Sequence, residues 1–276
     1  MKIRRNPWKV LFAAGLLLFG FVALSVGRVW RQTRLNQDLI VAVRHGDAFT
    51  ERSLLDQGAN ANALDFPPKP LSLWQFLRNG MRPGPGAHKQ TQTALLVAVK
   101  GPSEIAGPPA ENLPLVQALL DKGANINAKD EGDMTALMSA AAYGHSATVK
   151  LLLLHGADTR PKDKDSMISV SELGSVHQVP IAGRNALQYA FEMNEDVDIM
   201  ELLLDNGADV NVRNGYHGTL LISAVGERSL SKVRVLLAHK ADWRPRDQWG
   251  LSALKRARDD RDTEMIRLLQ QSGATE

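Results

Sequence analysis

An all-α solenoid of about six helix-turn-helix repeats, preceded by one N-terminal membrane helix, is the fold class this sequence predicts. Three observations predict it. Glycines at 58, 123, 156, 207 and 273 each begin a Gly-Ala-Asn/Asp or closely related tripeptide, and Lys240 holds the glycine place in a further copy. The spacings of 65, 33, 51, 33 and 33 residues are a 33-residue period with insertions in two places. A fixed period of that length is the mark of a stacked repeat. Finally, Val10 to Gly27 is a run without a charged residue, directly after a basic N-terminus.

Composition narrows the function classes. The 276 residues are 44% hydrophobic and 23% charged, an ordinary globular balance, and there is no cysteine. Disulfides, thiolate metal sites and cysteine nucleophiles are therefore excluded. The formal net charge of +3 comes from the leader: residues 1–35 carry seven bases and no acid, which leaves the remainder at −4. A mildly acidic body argues against an extended phosphate-binding surface.

Residues 1–35 read as a basic N-terminus and a transmembrane anchor. A helix over 10–27 would span roughly 27 Å, close to the hydrocarbon thickness of a bilayer, with Trp8 and Trp30 at its two ends. A cleaved signal peptide, cut after Ala23-Leu24-Ser25, is the alternative. The length of the run and the arginines that follow it (Arg28, Arg31, Arg34) favour the anchor. More positive charge precedes the run than follows it, which places the body outside the cytoplasm. The expectation is a single-pass plasma (inner) membrane protein with an extracytoplasmic repeat domain, or a secreted or periplasmic one after cleavage.

Residues 36–276 form the repeat domain, with insertions at 66–92, 101–113 and 161–183. The third copy is the most regular: Thr135, Leu137, Ala140, Ala141, Gly144, His145, Leu152, Leu153, Gly156, Ala157, Asp158. The fourth ends Leu202, Leu203, Gly207, Ala208, Asp209, Val210, Asn211, and the second Leu119, Leu120, Gly123, Ala124, Asn125, Ile126, Asn127. Each type has a physical reason. Threonine caps a helix, alanine allows close helix approach, leucine pairs fill the inter-repeat core, and glycine ends the second helix at positive φ. Lys240 breaks the last rule and predicts strain or an altered cap. The first insertion carries Leu71 to Leu77 with Trp74 and Phe76 between prolines, a short apolar helix. The polar start of the third suggests an exposed loop.

These residues resemble the ankyrin-repeat family, whose pattern is Thr-Pro-Leu-His-x-Ala-Ala, Gly-His, Leu-Leu and Gly-Ala-Asp-Val-Asn. The likeness covers about 36–276 apart from the insertions. It implies a protein–protein interaction scaffold that binds a protein partner through a concave face, lined by the inter-repeat turns and the first helix of each repeat. On this chain those positions are Glu131, Met134, Ala142 and Tyr143 in the third copy, and Glu192 and Met193 in the fourth. Tyr216, His217 and Glu227 follow in the fifth, Gln248 and Trp249 in the sixth, and Trp74 in the insertion is a further partner-binding candidate. Aromatic and methionine side chains on such a surface are the expected anchors.

Signs of catalysis are weak. Ser229-Leu-Ser-Lys232 matches the S-x-x-K of penicillin-binding enzymes, but the companion S-D-N and K-T-G motifs are absent. The seven histidines lack metal-ligand spacing, and Asp163 and Asp165 lack the rest of a calcium loop. A basic and aromatic group, Lys240, Trp243, Arg244, Arg246 and Trp249, is a faint nucleic-acid sign in an acidic body. No enzyme activity, cofactor, metal, small-molecule substrate or nucleic acid is expected; the partners are a protein and, through residues 10–27, the lipid bilayer.

Overall fold

A computed structural model of the chain describes residues 7–65, 92–101, 111–172, 175–181, 183–215 and 217–275, with side chains described outside 7–23 and 166–182. Trp74 and Tyr216 fall outside these residues. Twelve helices appear among the described residues, and they form six antiparallel pairs. The inner helices are α1 (Pro7–Arg44, at its C-terminal end), α3 (Ala94–Lys100), α5 (Ala136–Tyr143), α7 (Ala186–Met193), α9 (Leu220–Gly226) and α11 (Ala253–Asp259). Their outer partners are α2 (Ala48–Asp56), α4 (Leu113–Asp121), α6 (Ser146–Leu154), α8 (Asp198–Asp205), α10 (Leu230–Ala238) and α12 (Thr263–Gln271).

Inner helices are short and rich in alanine, so they pack side by side. Ala94, Ala98, Ala136, Ala140, Ala141, Ala186, Ala190 and Ala224 are all buried in one core that runs from Leu39 to Ala274. Helices of seven to nine residues are not stable alone in water, and here the neighbouring repeats supply the stability. Caps set their starts. Thr93, Thr135 and Ser252 each accept the N–H three residues on, and Asn185 forms a full capping box with Gln188. Thr219 holds the same place without a cap bond, and its hydroxyl is buried without a partner.

The Asn at the end of each Gly-Ala-Asp-x-Asn motif joins successive repeats. Asn62 accepts the Asn125 N–H at 2.6 Å, Asn127 accepts Asp158 at 2.9 Å, and Asn211 accepts Asp242 at 2.8 Å. In the third and fifth repeats that position holds Arg160 and Arg244, each turned back to its own repeat's Asp158 or Asp242.

Two features differ from the sequence expectation. The 161–183 insertion, expected as an exposed loop, has regular strand structure. It contains an antiparallel hairpin, β1 (Ser166–Glu172) paired with β2 (Ser175–Ile181), from Ser166 opposite Ile181 to Glu172 opposite Ser175. Alternation in Ile168-Ser-Val-Ser171 and the β-branched Val176, Val179 and Ile181 suit a pleated ribbon. The second feature is α1. The leader and the first inner helix are one helix from Pro7 to Arg44, with no break at residue 35. Gln32 donates to the Gly58 carbonyl at 2.8 Å, and Asn36 accepts the Asn60 N–H at 2.9 Å, so the helix is bonded to the first repeat well before its core begins at Leu39. Among the described residues no helix is long and apolar enough to cross a membrane, and the side chains of the 10–27 run are described only from Leu24 onward.

Lys240 does take the strained conformation its position demands, at φ 62°. Its N–H bonds the Leu237 carbonyl and the next N–H bonds Leu236, the same pair of bonds that Gly156 and Ala157 make in the third repeat. The cap is therefore the regular one, imposed on a residue with a Cβ.

Candidate partner-binding face

Between repeats the chain makes a finger, closed at its base by one backbone bond: Asp65 N–H to Gln92 O, Asp130 to Met134, Asp163 to Arg184, Asn214 to Gly218 and Asp247 to Leu251. The short fingers are three-residue tips, Glu131–Asp133, 215–217 and Gln248–Gly250. The base aspartate folds the tip by accepting its backbone N–H groups. Asp130 Oδ1 takes Gly132 and Met134, and Asp247 Oδ1 takes Trp249 and Leu251. The left-handed position at the tip falls on Asp133, His217 and Gly250. With each finger numbered by the repeat it opens, so that Asp65/Gln92 is the second and Asp247/Leu251 the sixth, two of the three insertions leave from the same place in their repeats, the second and fourth fingers.

The fourth finger is braced at its root. Tyr189 donates to Asp163, Arg184 lies 4.6 Å over the Tyr189 ring, and its guanidinium bonds Glu192 at 3.0 Å. Burial, reinforced by the bond to Asp163, pushes the Tyr189 hydroxyl up to about 12, so it remains a donor. Lys164 N–H bonds the Gly132 carbonyl at 2.8 Å, which ties the fourth finger to the third.

The candidate residues separate into two groups. Along the C-terminal ends of the inner helices, Tyr143 is 41% exposed and Met193 is 55% exposed, with Glu192 and Glu227 also at the surface and Ala142 half-buried. At the fingers, Glu131, His217 and Gln248 are exposed, Trp249 is 62% exposed, and Met134 is half-buried against the core. Beside Met193 lies an open groove of ≈ 620 Å³, lined by Glu192, Asn194, Glu195, Glu227, Ser229, Ser231 and Lys232. Asn194 fixes its floor, donating to the Ala141 carbonyl at 2.7 Å. Its side-chain oxygen would lie 2.8 Å from a Cβ at Gly144, where φ is +77°, so glycine is required there on both counts.

Ser229 and Lys232 are not disposed as nucleophile and base. Ser229 Oγ caps α10 by accepting the Lys232 backbone N–H. The Lys232 ammonium is buried and donates to Phe191 O at 2.7 Å and to Glu227 at 2.9 Å. Among the described residues no group of three or more His, Asp or Glu could hold a metal ion.

Sequence reasoning missed Glu51. It occupies the α2 position that holds Val116, Val149, Met200 and Val233 in later repeats, and it is 0% exposed with neither carboxylate oxygen bonded. Burial pushes its carboxyl up to about 7, against a smaller opposing pull from Arg52. Alignment of the copies on their glycines places this glutamate in a column of apolar residues and was the available sign.

Comparison with known proteins agrees with this architecture. The family model described as "Ankyrin repeats (3 copies)" matches residues 39–163, 109–214 and 193–275. Human ankyrin repeat and SOCS box protein 6 is 31% identical over 181 residues, 63% of this chain and 39% of that protein. A putative ankyrin repeat-containing protein of Treponema pallidum is 29% identical over 142 residues, 51% of this chain and 42% of that one. The chain thus spans about two fifths of the length of these curated relatives. An ankyrin repeat domain structure from Acinetobacter baumannii superposes with a TM-score of 0.62 at 24% identity, covering 86% of this chain and 98% of the other. With six helix pairs, finger turns and the matched repeats in agreement, this chain belongs to the ankyrin-repeat family.

Proposed function

We propose that this chain is a non-enzymatic scaffold that holds a protein partner on its concave face while α1 tethers it to a membrane. Ankyrin repeats make a protein–protein interaction domain; the partner face and the tether are the added steps. One observation carries the face. Tyr143 and Met193 stand exposed at the ends of adjacent inner helices, where their counterparts in a packed core would be covered. An aromatic ring and a methionine with Glu192 and Glu227 at the same helix ends suit a partner with an apolar anchor and a basic rim. Support for the tether comes from the continuity of α1 through the apolar run, with Arg28, Arg31 and Arg34 directly after it.

The test is capture of partner from detergent-solubilised membranes. Tyr143→Ala with Met193→Ala should lose it while helical content is unchanged, and retained capture would sink the face. A secreted form is the second reading, favoured by the fact that the bonds from α1 to the stack begin at Gln32, so cleavage after Ser25 would leave them intact. Mass spectrometry of the mature N-terminus separates the two.

A further inference from the structure

Connectivity gives the stack two unlike ends. Every finger joins the end of an outer helix to the start of the next inner helix, so all fingers lie at one end of the helices and all inter-helix turns at the other. Because α1 is itself the first inner helix, its N-terminal extension leaves the stack from the finger end. The inner helices pack side by side, α1 on α3, α3 on α5, α5 on α7 and α9 on α11. A bilayer entered by α1 therefore lies across the finger end, and the stack runs along it rather than standing away from it. The inner-helix starts correspond to Gln37, ten residues past Gly27, about 15 Å from the end of the apolar run.

The finger end is not uniform. Its middle carries both signs, with Glu131, Asp133 and Asp165 beside the exposed Lys129, Lys162 and Lys164. At its near end stand the exposed Arg28, Arg31 and Arg34, with the Arg34 guanidinium 5.8 Å from the Trp30 ring. At its far end, roughly 40–50 Å away by five interaxial steps, the same chemistry returns. Lys240, Arg244 and Arg246 are exposed, Arg244 lies 5.1 Å over the Trp243 ring, and Trp249 tops the sixth finger. Of the two acids among them, Asp247 is buried in its turn and Asp242 pairs with Arg244 at 3.8 Å.

We propose that the sixth finger is a second membrane contact: Lys240, Arg244 and Arg246 meet anionic phospholipid headgroups, and Trp249 seats at the interface of the bilayer that α1 enters, while Trp243 packs on the core beneath Arg244. Tryptophan prefers that interface, and clustered basic side chains bind anionic headgroups within a Debye length. This rests on the tether reading. Two contacts at opposite ends lay the stack flat and fix which way the concave face opens.

The cysteine-free chain allows single-site labelling. Full-length protein carrying an environment-sensitive dye at Gln248→Cys is reconstituted into phosphatidylcholine vesicles with or without phosphatidylglycerol. The expected result is a blue shift only with phosphatidylglycerol, lost in high salt and in Arg244→Glu with Arg246→Glu, although that variant still floats with the vesicles. A dye at Glu195→Cys, at the opposite end of the helices, should stay water-like. A dye at Gln248→Cys that stays water-like on floating protein overturns the second contact. So does a response to single-stranded oligonucleotide without one to vesicles. Failure of the unsubstituted chain to float overturns the tether reading instead.

Discussion

The Lys232 ammonium, from α10, donates to the Phe191 carbonyl at the end of α7 at 2.7 Å and lies 4.3 Å over the Phe191 ring. One side chain thus ties the fifth repeat to the fourth through a hydrogen bond that satisfies a helix-end carbonyl and a cation–π contact. The Glu227 bond at 2.9 Å supplies the counter-charge.

Lys232→Met should therefore cost about 1–3 kcal/mol, chiefly from the carbonyl left without its donor. In a nearest-neighbour stack the loss is local. Trp243 and Trp249 both report on the far side of the junction. With Trp8, Trp30 and Trp74 replaced by phenylalanine, the fluorescence of this pair in urea should change before the far-ultraviolet circular dichroism does, and coincident transitions would contradict a weakened fourth-to-fifth junction.

Leu152→Ala acts on the middle of the stack. The side chain is fully buried, so truncation should cost roughly 2–5 kcal/mol. A split thermal transition is expected, with one end of the stack surviving longer. One sharp, uniformly shifted transition is the result that a globular core would give.

Lys240→Gly should stabilise the protein by about 1 kcal/mol, because φ 62° is strained for a residue with a Cβ and the cap bonds stay the same. Gly156→Ala, in the equivalent place, should do the opposite. Denaturant midpoints of the two variants, moving in opposite directions at unchanged slope, check this.

Glu51 gives the first repeat a pH dependence of definite sign. Its carboxyl, raised from 4.5 to about 7, binds a proton more tightly in the folded state. Its contribution is therefore full below about pH 4.5, declines as pH rises through 7, and levels off above. The difference is on the order of 3 kcal/mol. Glu51→Val, which installs the residue of the third repeat, should remove that decline. Urea unfolding of both proteins at about pH 5 and about pH 8 measures it; equal pH dependence in the two would exclude Glu51 as the source.

The stack was legible because each repeat restates the same constraints: a cap at Thr93, Thr135 or Ser252, alanines between inner helices, a positive-φ stop. Elements that occur once were harder to read. Thr219 looks like a cap and makes no cap bond, since the sequence does not reveal whether a hydroxyl reaches its amide. The α1 fusion carries no mark at residue 35, because a helix that changes from one environment to another need not change its backbone. The β-hairpin has only the short alternation Ile168-Ser-Val-Ser171 to mark it, since Val176-His-Gln-Val179 does not alternate. On the candidate face Tyr143, Met193 and Trp249 are exposed, whereas Met134, read from the sequence with them, is half-buried against the core. The sequence does not divide these residues between the inner-helix row and the finger end, a division that follows from connectivity.

The closed bases of the fingers have a consequence for how this family can diversify. Asp163 and Arg184 are joined by the same bond as Asp130 and Met134, whether twenty residues or three lie between them. A longer loop adds little closure entropy once its ends are fixed. Each base therefore acts as a socket, into which segments of quite different length can be exchanged by recombination or design while the helices beneath keep their register.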